Sequence, residues 1–148
     1  VDAVTLLVSA AAATFMAGVI WVIQLVHYPL FALADPARFA EFHASHSARI
    51  TLIVGPAMLT ELGSSALFAL LARDPLERRL ALAGLGLVIV AWATTALCSI
   101  PAHGRLATGF DATAHASLVA TNAIRTVAWT THAALKLFLV ARRLGAQP

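Results

Sequence analysis

The sequence predicts an all-α integral membrane protein, a four-helix bundle running up-down-up-down, and three observations lead there. Hydrophobic residues make up 60% of the 148, only 11% are charged, and the mean hydropathy is +0.85. A soluble chain carries about a quarter charged residues, so lipid has to solvate most of this surface. The apolar residues also fall into four runs, each near the ~20 residues that a ~30 Å hydrocarbon core requires. Finally, no period-2 alternation appears. That excludes a β-barrel and leaves the helix, the spanning form that satisfies its own backbone. The length suits one transmembrane domain and no second one.

The predicted spans cover about residues 3–27, 47–72, 80–100 and 115–141. The first contains no Asp, Glu, Lys or Arg. It reads as a span and not a signal peptide, because no basic region leads it and Ser9 to Ala13 precede most of the apolar run. The apolar part of the second, from about Ile50 to Ala72, is interrupted by Glu61 alone. Its helix is expected to start well ahead of its apolar part, with Asp35 as N-cap and Pro36 at the first helical position. Pro56, after Gly55, is expected to kink it. The third has Arg79 just outside and is expected to close at Pro101 and Gly104. The fourth carries Arg125 and Lys136, and Lys136 is expected to snorkel to the nearer surface.

The formal charge of +3 and a pI near 10 raise the question of nucleic acid. The basic residues do not cluster, however; they flank apolar runs, which fits lipid headgroups and no nucleic-acid partner. Arg73, Arg78, Arg79, Lys136, Arg142 and Arg143 belong to one side of the predicted bundle, and Arg38, Arg49 and Arg105 to the other. By the positive-inside rule both termini are cytoplasmic, with a bacterial inner membrane as the expected location. Cys98 is alone, so no intrachain disulfide forms, and it reads as a small packing residue.

Helices of alternating direction bring distant positions to one membrane face. His27 leaves the first span, His43 and His46 enter the second, His103 follows the third and His115 precedes the fourth. Five of the six histidines thus fall on the predicted outer side. His43 and His46 are three apart and share a helix face. Bundles assemble metal sites from facing helices, and neutral imidazole suits copper, iron and zinc. His27, His43, His46, His103 and His115 are therefore the expected metal ligands. Gln24 lies on the same span as His27, and with Trp129 these two are the expected cofactor contacts. Interfacial histidines that merely bond water are the plainer alternative.

A second polar layer lies deeper. Glu61 sits midway along the second span and Arg125 about ten residues into the fourth. Ionisable residues at such depth are costly unless paired, and an ion pair between Glu61 and Arg125 is expected. At about 100° per residue, His43 and Glu61 share a face. His115, Asn122 and Trp129 line up at heptad spacing, with Arg125 and His132 beside them. Together they predict a polar pocket opening outward. Trp21, Trp92 and Trp129 lie within spans and are expected to pack in the core, with a pocket wall as the sharper alternative. His132 is expected to be a satisfied core histidine.

The stretch Asn122-Ala-Ile-Arg125-Thr126 before Trp129 resembles the Asn-x-x-Arg-Thr signature of the anthrone-oxygenase-like family of small membrane proteins. Pro101-Ala-His-Gly-Arg-Leu106-Ala is similar to that family's proline-led loop after its third helix, and four short spans match its layout. The resemblance implies oxygenation of polycyclic aromatic substrates in a few members. It makes Asn122 and Arg125 candidate contacts for a substrate oxygen. His43 and His46 depart from the family pattern.

These residues point to a membrane-embedded, metal-dependent oxidoreductase. Histidines would hold the metal, Glu61 would move a proton, and Arg125 with Asn122 would bind an oxygen of a small apolar substrate. Metal-assisted hydrolysis is a second enzyme reading. A haem ligated by two histidines would instead make an electron carrier. A small metal or solute transporter is the third alternative; four spans are few for one, so it would need a homo-oligomer.

Overall fold

A computed structural model describes residues 2–145, and among these every regular element is helical. Four long helical segments account for them. We label these α1 (Ala3–Leu33), α2 (Pro36–Leu71), α3 (Pro75–Leu106) and α4 (Ala112–Gly145). The first three are long and apolar enough to cross a membrane. α4 is long enough but less apolar, because it carries Asn122, Arg125, Thr126, His132 and Lys136, all of them buried.

The caps follow from local sequence. Asp35 accepts from the Ala37 amide at 2.9 Å, and a 3₁₀ turn, Pro36–Arg38, leads into the regular helix Phe39–Leu71. That helix continues through Pro56. Asp74 caps α3 through the Glu77 amide, and Asp111 caps α4 through the Ala114 amide. The third segment does not close at Pro101 and Gly104; it runs through both to Leu106. A π-helical turn, Thr95–Ser99, precedes Pro101 and absorbs the amide that proline lacks. α1 repeats the device, with a π turn at Ile23–His27 and Pro29 two residues on.

α1 packs on α2 and α4, and α3 packs on the same two helices. Ser9 meets Ser65 at 3.0 Å and His27 meets His46 at 2.6 Å. The outer surface is apolar, with Leu33, Leu52, Leu70 and Leu97 each more than three-quarters exposed. The polar side chains face inward: Glu61, Asn122 and His132 have no exposed surface. This inside-out distribution is what a lipid solvent selects.

Two apolar cores fill the bundle. One contains Met16, Ile20, Phe31, Met58, Leu118 and Trp129. The other contains Leu6, Phe68, Ala81 and Leu139. Between them α1 supplies Ser9, α2 Glu61 and Ser65, and α4 His132 and Lys136. A polar layer therefore separates the cores. Beyond the second core, Arg142 donates to both Asp74 oxygens, at 2.9 and 3.4 Å, and Arg143 meets Glu77 at 2.6 Å. The Arg142 bond and the Glu77 amide hold the Asp74 carboxyl below its usual range, and the same bond raises Arg142.

Candidate functional site

The two π turns position the site. The first ends at His27, with Tyr28 next on α1, and the second falls just before His103 on α3; these residues meet at one end of the bundle. His43 and His46 come from the first turns of the regular part of α2, one helical turn apart. His27 Nε2 and His46 Nδ1 lie 2.6 Å apart, and His43 Nε2 and His103 Nδ1 lie 2.9 Å apart. The His46 and His103 rings stack at 5.7 Å between centroids, joining the two pairs. Phe31, fully buried, sets its edge against His27, His43 and His46. Phe39 stacks on His43 at 6.0 Å. These aromatic walls fix ring planes and limit solvent.

Four of the five histidines expected on one face are thus brought together by α1, α2 and α3. His115 is placed differently: its Nε2 bonds the Tyr28 carbonyl at 2.8 Å, and its ring lies 6.3 Å from Phe31. The four imidazoles meet as hydrogen-bonded pairs. Among the described residues no set of three or more His, Cys, Asp or Glu groups is arranged to hold a metal ion. His46 Nε2 is buried with no hydrogen-bond partner.

A chain of hydrogen bonds leads inward from the histidines. His103 Nε2 meets the Tyr28 hydroxyl at 3.1 Å, and Arg125 donates to that hydroxyl at 3.4 Å. Arg125 also donates to Thr95 at 3.1 Å and through two nitrogens to Asn122 Oδ1. The Asn122 amide donates to Gln24 at 2.7 Å, and Gln24 donates to the Val119 carbonyl at 3.3 Å. The guanidinium is therefore matched by neutral acceptors from α1, α3 and α4.

Glu61 does not pair with Arg125. Equal depth along the helices is not enough, because Trp129 occupies the space between them. Its indole N–H donates to Glu61 Oε2 at 2.6 Å, and its ring centroid lies 5.8 Å from the Arg125 guanidinium carbon. Glu61 Oε1 instead faces His132 Nε2 at 3.7 Å. Lys136 does not snorkel either: it is 1% exposed, with its ammonium 4.9 Å from the centre of the Phe68 ring. Trp21 is not in the core. It is 45% exposed and its indole donates to Thr130 at 3.0 Å. Trp92 and Cys98 are half-buried.

A cavity of about 150 Å³ lies between His103 and Trp129. Its polar wall is Tyr28, Thr95, Ser99, His103, Arg125 and Trp129; its apolar wall includes Met16, Ile20, Val54 and Met58. Glu61 and Asn122 stand behind that wall. Thr51 and Ile100, on its rim, are exposed on α2 and α3. Sequence reasoning missed Tyr28 and Thr95. The signal for Tyr28 was available, since the chain's single tyrosine follows His27 directly. Thr95 acquires its role through a π turn that no local pattern announces.

Comparison with protein-family models, with curated proteins and with solved structures finds no match. What the protein does is therefore argued from the site.

Proposed function

We propose that the protein is a membrane-embedded, metal-dependent oxidoreductase of oxygenase-like type, with a transition metal at the histidines and a small apolar substrate in the adjoining cavity. The observation that carries this reading is the meeting of His27, His43, His46 and His103, the last of which lines a cavity together with Arg125. Two nitrogens of each ring pair already stand 2.6 and 2.9 Å apart. Metal–nitrogen bonds of about 2.0–2.1 Å put two tetrahedral ligands roughly 3.3 Å apart, so each pair has to open by about half an ångström. Copper, iron and zinc all suit imidazole, and a redox metal would supply the electron chemistry.

The chain's own groups do the rest. Arg125, held by Asn122, presents its guanidinium to a carbonyl or phenolate oxygen in the cavity. Tyr28 stands between Arg125 and His103 and can pass a proton from one end of the cavity to the other. Glu61 acts through Trp129 as a positioning group. Exposed Thr51 and Ile100 on the rim favour a substrate that arrives from lipid between α2 and α3. The likeness of Asn122-Ala-Ile-Arg125-Thr126 to the anthrone-oxygenase-like signature agrees with an oxygen-bearing substrate.

The same proposal takes α4 across the bilayer, with the helices up-down-up-down and both termini cytoplasmic in a bacterial inner membrane. Its polar residues are buried against the other helices, while Val127, Leu137 and Phe138 face outward, each more than half exposed. Elemental analysis and a visible absorption spectrum of gently purified protein test the function. The expected result is bound copper, iron or zinc that the His43→Ala/His46→Ala variant loses. A haem spectrum would replace the oxidoreductase by an electron carrier. Metal-free protein that binds none on titration would overturn the proposal.

A further inference from the structure

The polar layer between the two apolar cores belongs to neither the histidines nor the cavity. Glu61 of α2 and His132 of α4 approach there at 3.7 Å, with Lys136 one helical turn further along α4, at exposures of 0, 0 and 1%. Glu61 has one oxygen satisfied by Trp129, while Oε1 has no hydrogen-bond partner. The Lys136 ammonium also has no hydrogen-bond partner and rests over Phe68. A buried carboxylate oxygen and a buried ammonium left unbonded in one enclosed layer are costly as they stand. A water molecule with donors and acceptors on both sides is the usual remedy.

We propose that Glu61, His132 and Lys136 form a second site, a buried proton-exchange site in which a water molecule bridges Glu61 Oε1 and Lys136 Nζ. The proton moves from the Lys136 ammonium through that water to the Glu61 carboxylate, leaving a neutral amine and a neutral carboxylic acid. No other bond changes. The two forms differ only in where the proton sits. Burial penalises both charges of the ionised form, and their mutual attraction offsets part of that penalty.

The layer lies close to a surface ion pair. The Phe68 ring carries Lys136 on it at 4.9 Å and the Arg143 guanidinium at 5.5 Å, and Arg143 pairs with Glu77 at the end of the bundle. One aromatic ring thus separates the buried amine from a surface ion pair. His132 shares the layer and reaches Ser65 at 3.2 Å, which reaches Ser9 at 3.0 Å. α3 contributes the Gly84 backbone, against which His132 is packed so closely that a Cβ there would lie 2.8 Å from Nδ1. The charged groups facing Glu61 are therefore His132 and Lys136, with Arg125 beyond Trp129 and the Arg143–Glu77 pair beyond Phe68. The site needs no metal, so it stands or falls apart from the histidine proposal.

Trp129 reports on Glu61 directly through its indole bond. In a Trp21→Phe/Trp92→Phe background it is the sole tryptophan. Its fluorescence in detergent should then titrate with pH, and Glu61→Gln should abolish the titration. Lys136→Met removes the cation that favours the carboxylate, so the midpoint should move to higher pH. Lys136→Arg keeps the cation and should leave the midpoint where the background protein has it, which leaves a test if Lys136→Met does not fold. Emission that is flat with pH in the folded background protein would overturn the proposal. So would a titration that survives Glu61→Gln, or a midpoint that ignores Lys136→Met.

Discussion

Trp129 stands between Glu61 and Arg125, donating its indole N–H to the carboxylate at 2.6 Å and turning its ring toward the guanidinium. One aromatic side chain thereby divides the buried charges into two sites. Arg125 is left to the cavity, and Glu61 to the polar layer with His132 and Lys136. Trp129→Phe keeps an aromatic side chain, though a smaller one, and removes the donor. It leaves a second Glu61 oxygen unsatisfied, which should cost about 1–3 kcal/mol. Thermal unfolding in detergent measures it, and an unchanged midpoint would mean that the bond contributes nothing.

Separating the charges changes what a double-mutant cycle should give. Directly paired residues would couple strongly, so that Glu61→Gln would rescue Arg125→Gln. With Trp129 between them as a shared neighbour, any coupling is indirect, and the double variant should not recover the stability that Arg125→Gln loses. Arg125→Gln alone should lose about 3 kcal/mol, because Tyr28, Thr95 and Asn122 all give up a charge-assisted bond. Rescue in the double variant would put the two side chains back in contact.

Gly84 offers a geometric test of how tightly His132 is held. A Cβ there would lie 2.8 Å from His132 Nδ1 and 3.1 Å from Cε1, whereas one at Gly63 or Gly86 meets nothing within 4 Å. Gly84→Ala should therefore destabilise by displacing the ring. Gly63→Ala and Gly86→Ala should be neutral or gain up to about 1 kcal/mol from helix propensity. Comparing the three unfolding midpoints decides the matter, and equal midpoints would remove the close approach.

At the end of the bundle, Arg142 holds the Asp74 carboxyl below its ordinary range. A lowered folded value means that the pair's contribution is present above the ordinary carboxyl range and is lost as pH falls through the folded value. Both side chains are partly exposed, at 36% and 42%, so the effect is small and weakens with salt. Asp74→Asn keeps an N-cap for α3 and should flatten the acid limb of the stability curve. An acid limb unchanged by the substitution would assign it to other groups.

The local features of this chain were legible in its sequence. Asp35 and Pro36 announce the start of α2, and the three apolar helices follow from length and composition alone. The gathering of His27, His43, His46 and His103 followed from counting which residues end or begin a span. What stayed hidden depended on azimuth and on side-chain volume. The π turns before Pro29 and Pro101 let helices continue where proline signals an end. They also shift the face that Tyr28 and His103 present. The Glu61–Arg125 expectation failed because depth says nothing of a tryptophan between two side chains. Lys136 stays buried because Phe68 offers it a ring face and Glu61 a countercharge, neither of which shows in the local sequence.

The central claim is that His27, His43, His46 and His103 act together and His115 does not. Metal titration of purified protein, followed by bound metal per chain after gel filtration, measures this across five single His→Ala variants. The four clustered positions should each weaken or abolish binding of copper, iron or zinc, while His115→Ala should bind as wild type does. Equal loss in His115→Ala, or no binding by wild type, would contradict the account.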